Sequence, residues 1–526
     1  QSDAYAVALF RPNPITGEIL NAGITVDGNM ARVTKLEKKA FVDPASWLQE
    51  AGDSVDQCHD ARNCRFAQYA AKQAWLGFTA AQLALPAGVA PNEKAYVAAF
   101  LRSTVCHEMG HILGLRHNFA GSTAYSLEQL KNAAFVKKNG VTSSVMDYTP
   151  FNLAALKQRG VDYFSTTVGK YDQWAVKYGY MPVAQPTTES EAPVLRSLAA
   201  HGSEPGLAFQ SDEIADQSDP MVVRFDLGSD PLAYASRGLS LARYLMLNLN
   251  KRLPEKGQPY WTYTRGMMQA LGSYSQNATI ASRYIGGIRQ NRSHRGDPGE
   301  RPAVAPVPAT DQRKALALLT QYVFDQGALT VPKAFLAKMG TDPYPDMLAS
   351  ITGGGPSELN VRDTLASLRT GILRRLLSAA VLRRVANNEF RAATPADAFT
   401  MAELFQKLGG SVWSELSTSK PSDPMRRQLQ RAHVDALVAM VVSPATGLPD
   451  DARMLAWDHL RALKTRITAA QRKPSADTYT RAHLSETLAK VNRALDARLT
   501  ISGPAPATPS LMQMLMGGSQ PGAQAP

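Results

Sequence analysis

Apolar residues recur every three or four positions through most of this chain, the spacing that lines one face of a helix. Over 61–85, a stretch rich in Ala, Gln and Leu, the residues Phe66, Tyr69, Ala70 and Ala74 keep that period until the prolines of 86–91 end it. Asn92 can cap a second helix running to Leu113, whose packing stripe is Val97, Phe100, Leu101, Thr104 and Val105. Further helices are predicted over 126–138, 168–180 and 234–249, and Met267 and Leu271 belong to another. Residues 185–205 read as a polar, Pro-containing connector, and 291–308, rich in Gly, Pro and Arg, as a long loop. Beyond it the helical period returns over 312–324, 364–385, 400–408, 425–442, 450–470 and 476–500, broken by the Gly-Gly-Gly-Pro run at 353–356. Near the N-terminus the period changes to two. Tyr5, Val7 and Leu9 alternate with alanines, 12–17 carries turn residues and 19–26 resumes a strand-like run, so a β-hairpin is predicted. Residues 502–526, rich in Pro, Gly, Ala and Gln, read as a disordered tail.

A chain of 526 residues can bury more than one core, and two or three domains are expected. Hydrophobic residues make up 44% and charged residues 19%, the balance of a globular protein. The longest apolar run, 436–442, is far too short to span a bilayer, so no membrane span is predicted. The net charge of +12 raises the question of nucleic acid. Lys and Arg are instead scattered through amphipathic segments such as 369–384, without an aromatic-interleaved basic motif, so a basic surface and no nucleic-acid partner is the reading. Attraction to acidic substrates or to a cell envelope stays open. The chain starts at Gln1 with no charged-then-apolar leader, so it reads as a processed or excised piece whose signal peptide, if any, lay upstream. Cys58 and Cys64 bracket a short loop and suit a local disulfide in an oxidising compartment, with metal binding alongside His59 as the alternative.

The chemistry concentrates in 104–118, where His107, Glu108, His111, Gly114 and His117 follow the spacing H-E-x-x-H-x-x-G-x-x-H. On a helix His107 and His111 face the same point, and Glu108 beside them can reach a water held there. Gly114 can take the left-handed conformation that stops a helix, and the turn swings His117 back as a third ligand. Three protein ligands with a fourth position open describe catalytic zinc, whereas structural zinc is usually closed by four. The competing reading is a buried helix with satisfied core histidines. Five fixed positions match by chance on the order of once in tens of thousands of chains this long, which favours the metal motif. Cys106 lies off the ligand face and is expected to pack. His201, His294, His433, His459 and His483 lie outside any ligand spacing and read as surface or packing residues. Asp212, Glu213, Asp216 and Asp219 form an acidic loop able to hold calcium, or else a solvated loop or helix cap.

The extended motif, followed at 143–148 by Ser-Ser-Val-Met-Asp-Tyr, resembles the metzincin clan of zinc peptidases, with Met146 as the methionine of its Met-turn. Asn118 stands where the best-known branches carry an acidic residue, serine or proline. In this it resembles a bacterial family of large secreted zinc-dependent metalloproteases, a likeness that 16–20, 162–164, 171–174 and 225–231 share. The resemblance implies an α+β fold: a metzincin-like catalytic domain with a twisted mixed sheet, an active-site helix and a lower helical subdomain, then a mostly α-helical C-terminal region. The corresponding divisions are 1–185, a mostly helical extension at 186–310, a helical domain at 311–500 and the tail at 501–526. The family's opening strands and first helix are expected upstream of Gln1.

The implied function is zinc-dependent endopeptidase action on extended polypeptides, with His107, His111 and His117 holding Zn2+ and Glu108 as general base. Tyr148 is placed by the resemblance near the metal, either serving it or the oxyanion, or packing beneath the site. Met146 reads as a soft packing platform and Asn118 as a residue orienting the ligand loop. By resemblance 18–26 is the edge strand that pairs with substrate, with an internal strand as the alternative. A secreted or periplasmic location follows. The alternatives are a non-catalytic zinc-bearing binding or adhesion module and zinc-dependent hydrolysis of a non-peptide amide. The intact Glu108 favours the peptidase, because a scaffold needs no base.

Overall fold

The computed structural model describes residues 6–28, 30, 66–84, 92–185, 187–340, 360–418, 421–472 and 477–497. The Cys58–Cys64 pair, the Gly-Gly-Gly-Pro run at 353–356 and the tail at 501–526 lie outside the described residues. Alternating side chains at the N-terminus build β1 (Ala6–Pro12) and β2 (Ile19–Val26), paired antiparallel with Ala6 opposite Val26 and a bulge between Arg11 and Pro12. Asn13 closes the turn by accepting the Ile15 N–H at 2.9 Å. Among the described residues this hairpin and a second one stand where a larger mixed sheet was expected.

Next come α1 (Phe66–Ala84) and α2 (Glu93–Ile112). The predicted cap is present: Asn92 Oδ1 accepts the Ala95 N–H at 3.1 Å. Tyr96 rather than Leu101 leads the packing stripe, and its hydroxyl donates to the Ala74 carbonyl at 2.8 Å, welding α2 to α1. Val105 is 38% exposed, because the buried face follows the i, i+4 row Tyr96, Phe100, Thr104. The single helix expected over 126–138 is divided. Asn132 ends a 3-10 turn at Gln129–Lys131 and caps α3 (Ala133–Asn139) by accepting the Phe135 N–H.

After α4 (Lys170–Tyr180), the supposed connector contains α5 (Thr188–Ala199), started by the Thr187 hydroxyl accepting the Ser190 N–H. Then α6 (Pro231–Asn248) and α7 (Trp261–Ser282) pack along each other, α7 buried on nearly all sides. The predicted loop is tied at its ends by β3 (Ile288–Gln290) and β4 (Val304–Pro306), with Ile288 opposite Pro306. There follow α8 (Ala309–Leu319), α9 (Val361–Leu376), α10 (Ala379–Arg391), α11 (Met401–Val412), α12 (Pro424–Val442), α13 (Asp450–Gln471) and α14 (Thr478–Asp496). The helix expected over 364–385 breaks at Ser378, whose hydroxyl caps α10. The fold is α+β with a helical C-terminal region, and among the described residues no helix is long and apolar enough to cross a membrane.

Candidate metal centre

Helix α2 presents His107 and His111 one turn apart and then stops. Gly114 takes φ +80°, with its N–H bonded to the His111 carbonyl and the Leu115 N–H to that of Gly110. A Cβ there would meet nothing within 4 Å, so the demand for glycine is one of backbone conformation, not of space. The turn returns His117, and the three rings meet with centroids 4.8, 4.8 and 5.4 Å apart. One ligand atom from each lies within 4.8 Å of the others, and among the described residues this is the group able to hold a metal ion.

Each ring is oriented from behind. Nδ1 of His107 meets the Val145 carbonyl at 2.8 Å, Nδ1 of His111 the Leu115 carbonyl at 3.1 Å, and Nδ1 of His117 both Asp212 carboxylate oxygens at 3.0 Å. An Nδ1–H donating outward leaves Nε2 as the inward lone pair, the form a metal needs. Burial, reinforced by the neighbouring rings, lowers His107 well below the usual histidine value and His111 to about 4, so both rings are neutral at neutral pH and free to serve as ligands. Three converging imidazoles fit zinc.

Glu108 is 3% exposed, and burial lifts its carboxyl to about 7 against the opposing backbone N–H of Ala8. The hairpin therefore lies against Glu108 through β1, and Ala8 rather than the run at 18–26 makes this contact. The Tyr148 hydroxyl stands 2.9 Å from Nε2 of His117. Met146 is fully buried under Gly110, where a Cβ would come within 2.2 Å of its sulfur. Asp172 of α4 holds the turn from below, accepting the Ser144 hydroxyl at 2.7 Å, the Val145 N–H at 2.8 Å and the Gly169 N–H at 3.0 Å.

Asn118 ties the ligand loop to residues 208–210: its Nδ2 donates to the Ala208 carbonyl at 3.0 Å and its Oδ1 accepts the Gln210 N–H at 3.1 Å. The acidic loop does not support the calcium expectation, because its carboxylates are already engaged. Asp212 meets His117 and Arg224, Glu213 meets Arg116, Asp216 meets Arg224 and Arg283, and Asp219 accepts the Met221 and Gln290 N–H groups. Burial pushes the Asp212 carboxyl up, but hydrogen bonding and charge from His117, together with Arg224, hold it well below the usual range. Sequence reasoning missed Asp212 as a site residue, since 95 positions separate it from His117 and no local spacing joins them.

It also missed a buried acid pair beside the Met-turn. Asp226 is pushed up by burial to about 8, and Asp147 is raised by burial and by Asp226. Cys106 packs beside the site, its thiol raised by burial. His433 and His483 are buried among the C-terminal helices, whereas His201 and His294 are exposed.

A family model described as Met-zincin matches residues 90–420. No curated protein and no solved structure matches the chain.

Proposed function

The chain belongs to the Met-zincin family, and from that premise we propose that it is a zinc-dependent endopeptidase hydrolysing peptide bonds of extended polypeptides. The family and the His triad together indicate a zinc metalloprotease type of activity. The observation that carries the finer reading is the convergence of three imidazoles with the buried Glu108 carboxyl beside them. Bound zinc supplies Lewis-acid chemistry, lowering the pKa of water and polarising a carbonyl. His107, His111 and His117 would hold the ion. Glu108 takes the proton of the attacking water and passes it to the leaving amine, a task suited to a carboxyl titrating near neutrality. Tyr148, with its hydroxyl at His117, donates to the developing oxyanion. Met146 and Asp172 hold the floor, and Asn118 holds the ligand loop. A polypeptide added as a strand to the hairpin edge would cross Glu108, since Ala8 already meets that carboxylate. A secreted or periplasmic setting belongs to the same proposal and follows from the family resemblance; in an oxidising compartment the spacing of Cys58 and Cys64 would suit a local disulfide.

The test is cleavage of casein and of a diverse peptide mixture by the zinc-loaded protein, with and without chelator, beside Glu108→Ala. Hydrolysis that requires the metal and drops on the order of 10²–10⁴-fold in the variant supports the reading. A Glu108→Ala protein as active as the unaltered one would overturn it, and a zinc-loaded protein that cleaves nothing would favour the binding module.

A further inference from the structure

We infer that Asp212 is the positioning residue of the third histidine, and that an ion-pair chain ending on helix α7 sets its place. The inference rests on the metal-centre reading above. His107 and His111 lean on backbone carbonyls, which the Met-turn and the turn after helix α2 supply. His117 differs. It lies beyond the helix, and its Nδ1 faces a carboxylate brought from 95 residues downstream, both oxygens at 3.0 Å. A carboxylate behind a ligand imidazole fixes the ring and raises its basicity more than a carbonyl does.

Asp212 is itself held from two sides. On one side, Asn118, next to His117, bonds Ala208 and Gln210, and the Phe119 N–H bonds the Gln210 carbonyl at 2.8 Å. The ligand loop thus delivers the segment that orients it. On the other side the charges alternate. Asp212 meets Arg224 at 3.4 Å, Arg224 meets Asp216 at 3.1 Å, and Asp216 meets Arg283 at 3.3 Å. Arg224 and Arg283 are buried, and Arg224 also lies over the Phe119 ring at 4.9 Å. Arg283 caps the C-terminal end of α7 and donates to the Gln217 carbonyl at 3.0 Å. Buried ion pairs with fixed partners specify geometry even where they add little net stability. The region after the Met-turn therefore carries part of the metal centre, and α7 is its far anchor.

The test measures zinc affinity by chelator competition, and the absorption spectrum after cobalt substitution, on the full chain. Asp212→Ala is expected to lose about 10–100-fold in zinc affinity and to shift the cobalt bands. Asp212→Asn keeps an acceptor for the ring without the charge and should fall between. Arg283→Met should lose several-fold, and combined with Asp212→Ala it should cost less than the two single losses multiplied, because both act through one carboxylate. Glu213→Gln, which removes a charge from the same loop, should bind zinc as the unaltered protein does, with unchanged Tm. Unaltered zinc affinity and cobalt bands in Asp212→Ala, or in a folded Asp212→Asn if the alanine variant does not fold, would overturn the inference and leave the peptidase reading standing. An unaltered chain that takes up no zinc would remove both.

Discussion

Gly110 and Met146 meet without room for a methyl group between them: a Cβ on the glycine would stand 2.2 Å from the thioether sulfur. The helix carrying two of the histidines and the turn beneath them are therefore pressed together at one point. Gly110→Ala is expected to destabilise the protein by about 1–3 kcal/mol, the usual cost of overpacking. It should also weaken zinc binding, because α2 must lift from the turn. Shortening the partner in Gly110→Ala/Met146→Ala should recover part of the zinc affinity. Thermal unfolding and metal titration check both, and an alanine variant with unaltered Tm and zinc content would disprove the contact.

Tyr148 offers a cleaner separation of binding from chemistry. Its hydroxyl is 2.9 Å from Nε2 of His117, and removing it in Tyr148→Phe leaves the ring in place. The expected result is a kcat lower on the order of 10²-fold, with KM and bound zinc little changed. Steady-state kinetics with metal analysis decides it. A variant with full kcat would leave Tyr148 a packing residue.

Asp172 connects the Met-turn to the metal centre through one residue. The Val145 N–H donates to Asp172 at 2.8 Å, while the Val145 carbonyl faces Nδ1 of His107 at 2.8 Å. Asp172→Ala orphans that N–H together with the Ser144 hydroxyl and Gly169 N–H, and is expected to cost about 2–5 kcal/mol. Zinc affinity should fall with it. Denaturant unfolding of the metal-free and zinc-loaded forms measures the two effects, and a metal-free variant as stable as the unaltered chain would refute the first.

The C-terminal helices carry a pH dependence of their own. Burial lowers His433 to about 3 and His483 to about 4, while the Trp413 N–H meets His433 Nδ1 at 3.2 Å and His483 Nε2 meets Gln430 at 2.9 Å. The unfolded chain takes up these protons near pH 6.5, so between that value and the folded ones it binds more protons than the native state. Stability is then full above about pH 6.5 and falls as pH drops toward 4, by up to about 1.4 kcal/mol per unit for each histidine. Denaturant midpoints from pH 7 to 4.5 should show a shallower decline in His433→Phe/His483→Phe than in the unaltered chain. Parallel declines would exclude these two residues as its source.

The local elements were legible because each depends on neighbours in the chain. Asn92 announces its helix by a side chain that reaches three residues ahead, and the hairpin follows from alternation around the 12–17 turn. The misreadings have the same root. Asn132 and Ser378 each cap a new helix inside an unbroken apolar period, and a period cannot reveal a cap that interrupts it. The acidic loop looked like a cation site because its composition shows four carboxylates and not the arginines that face them.

For the centre itself, the spacing of His107, His111, Gly114 and His117 determined which atoms converge, since a helical turn and one left-handed residue are covalent consequences of local sequence. What stands behind those atoms was decided by folding alone. Asp212, Asp172 and Ala8 reach the histidines, the Met-turn and Glu108 from far along the chain, and only the packing of distant segments sets such separations. Ligands repeat at intervals that bond geometry imposes, whereas their supports are chosen by whichever segment the core happens to carry past them.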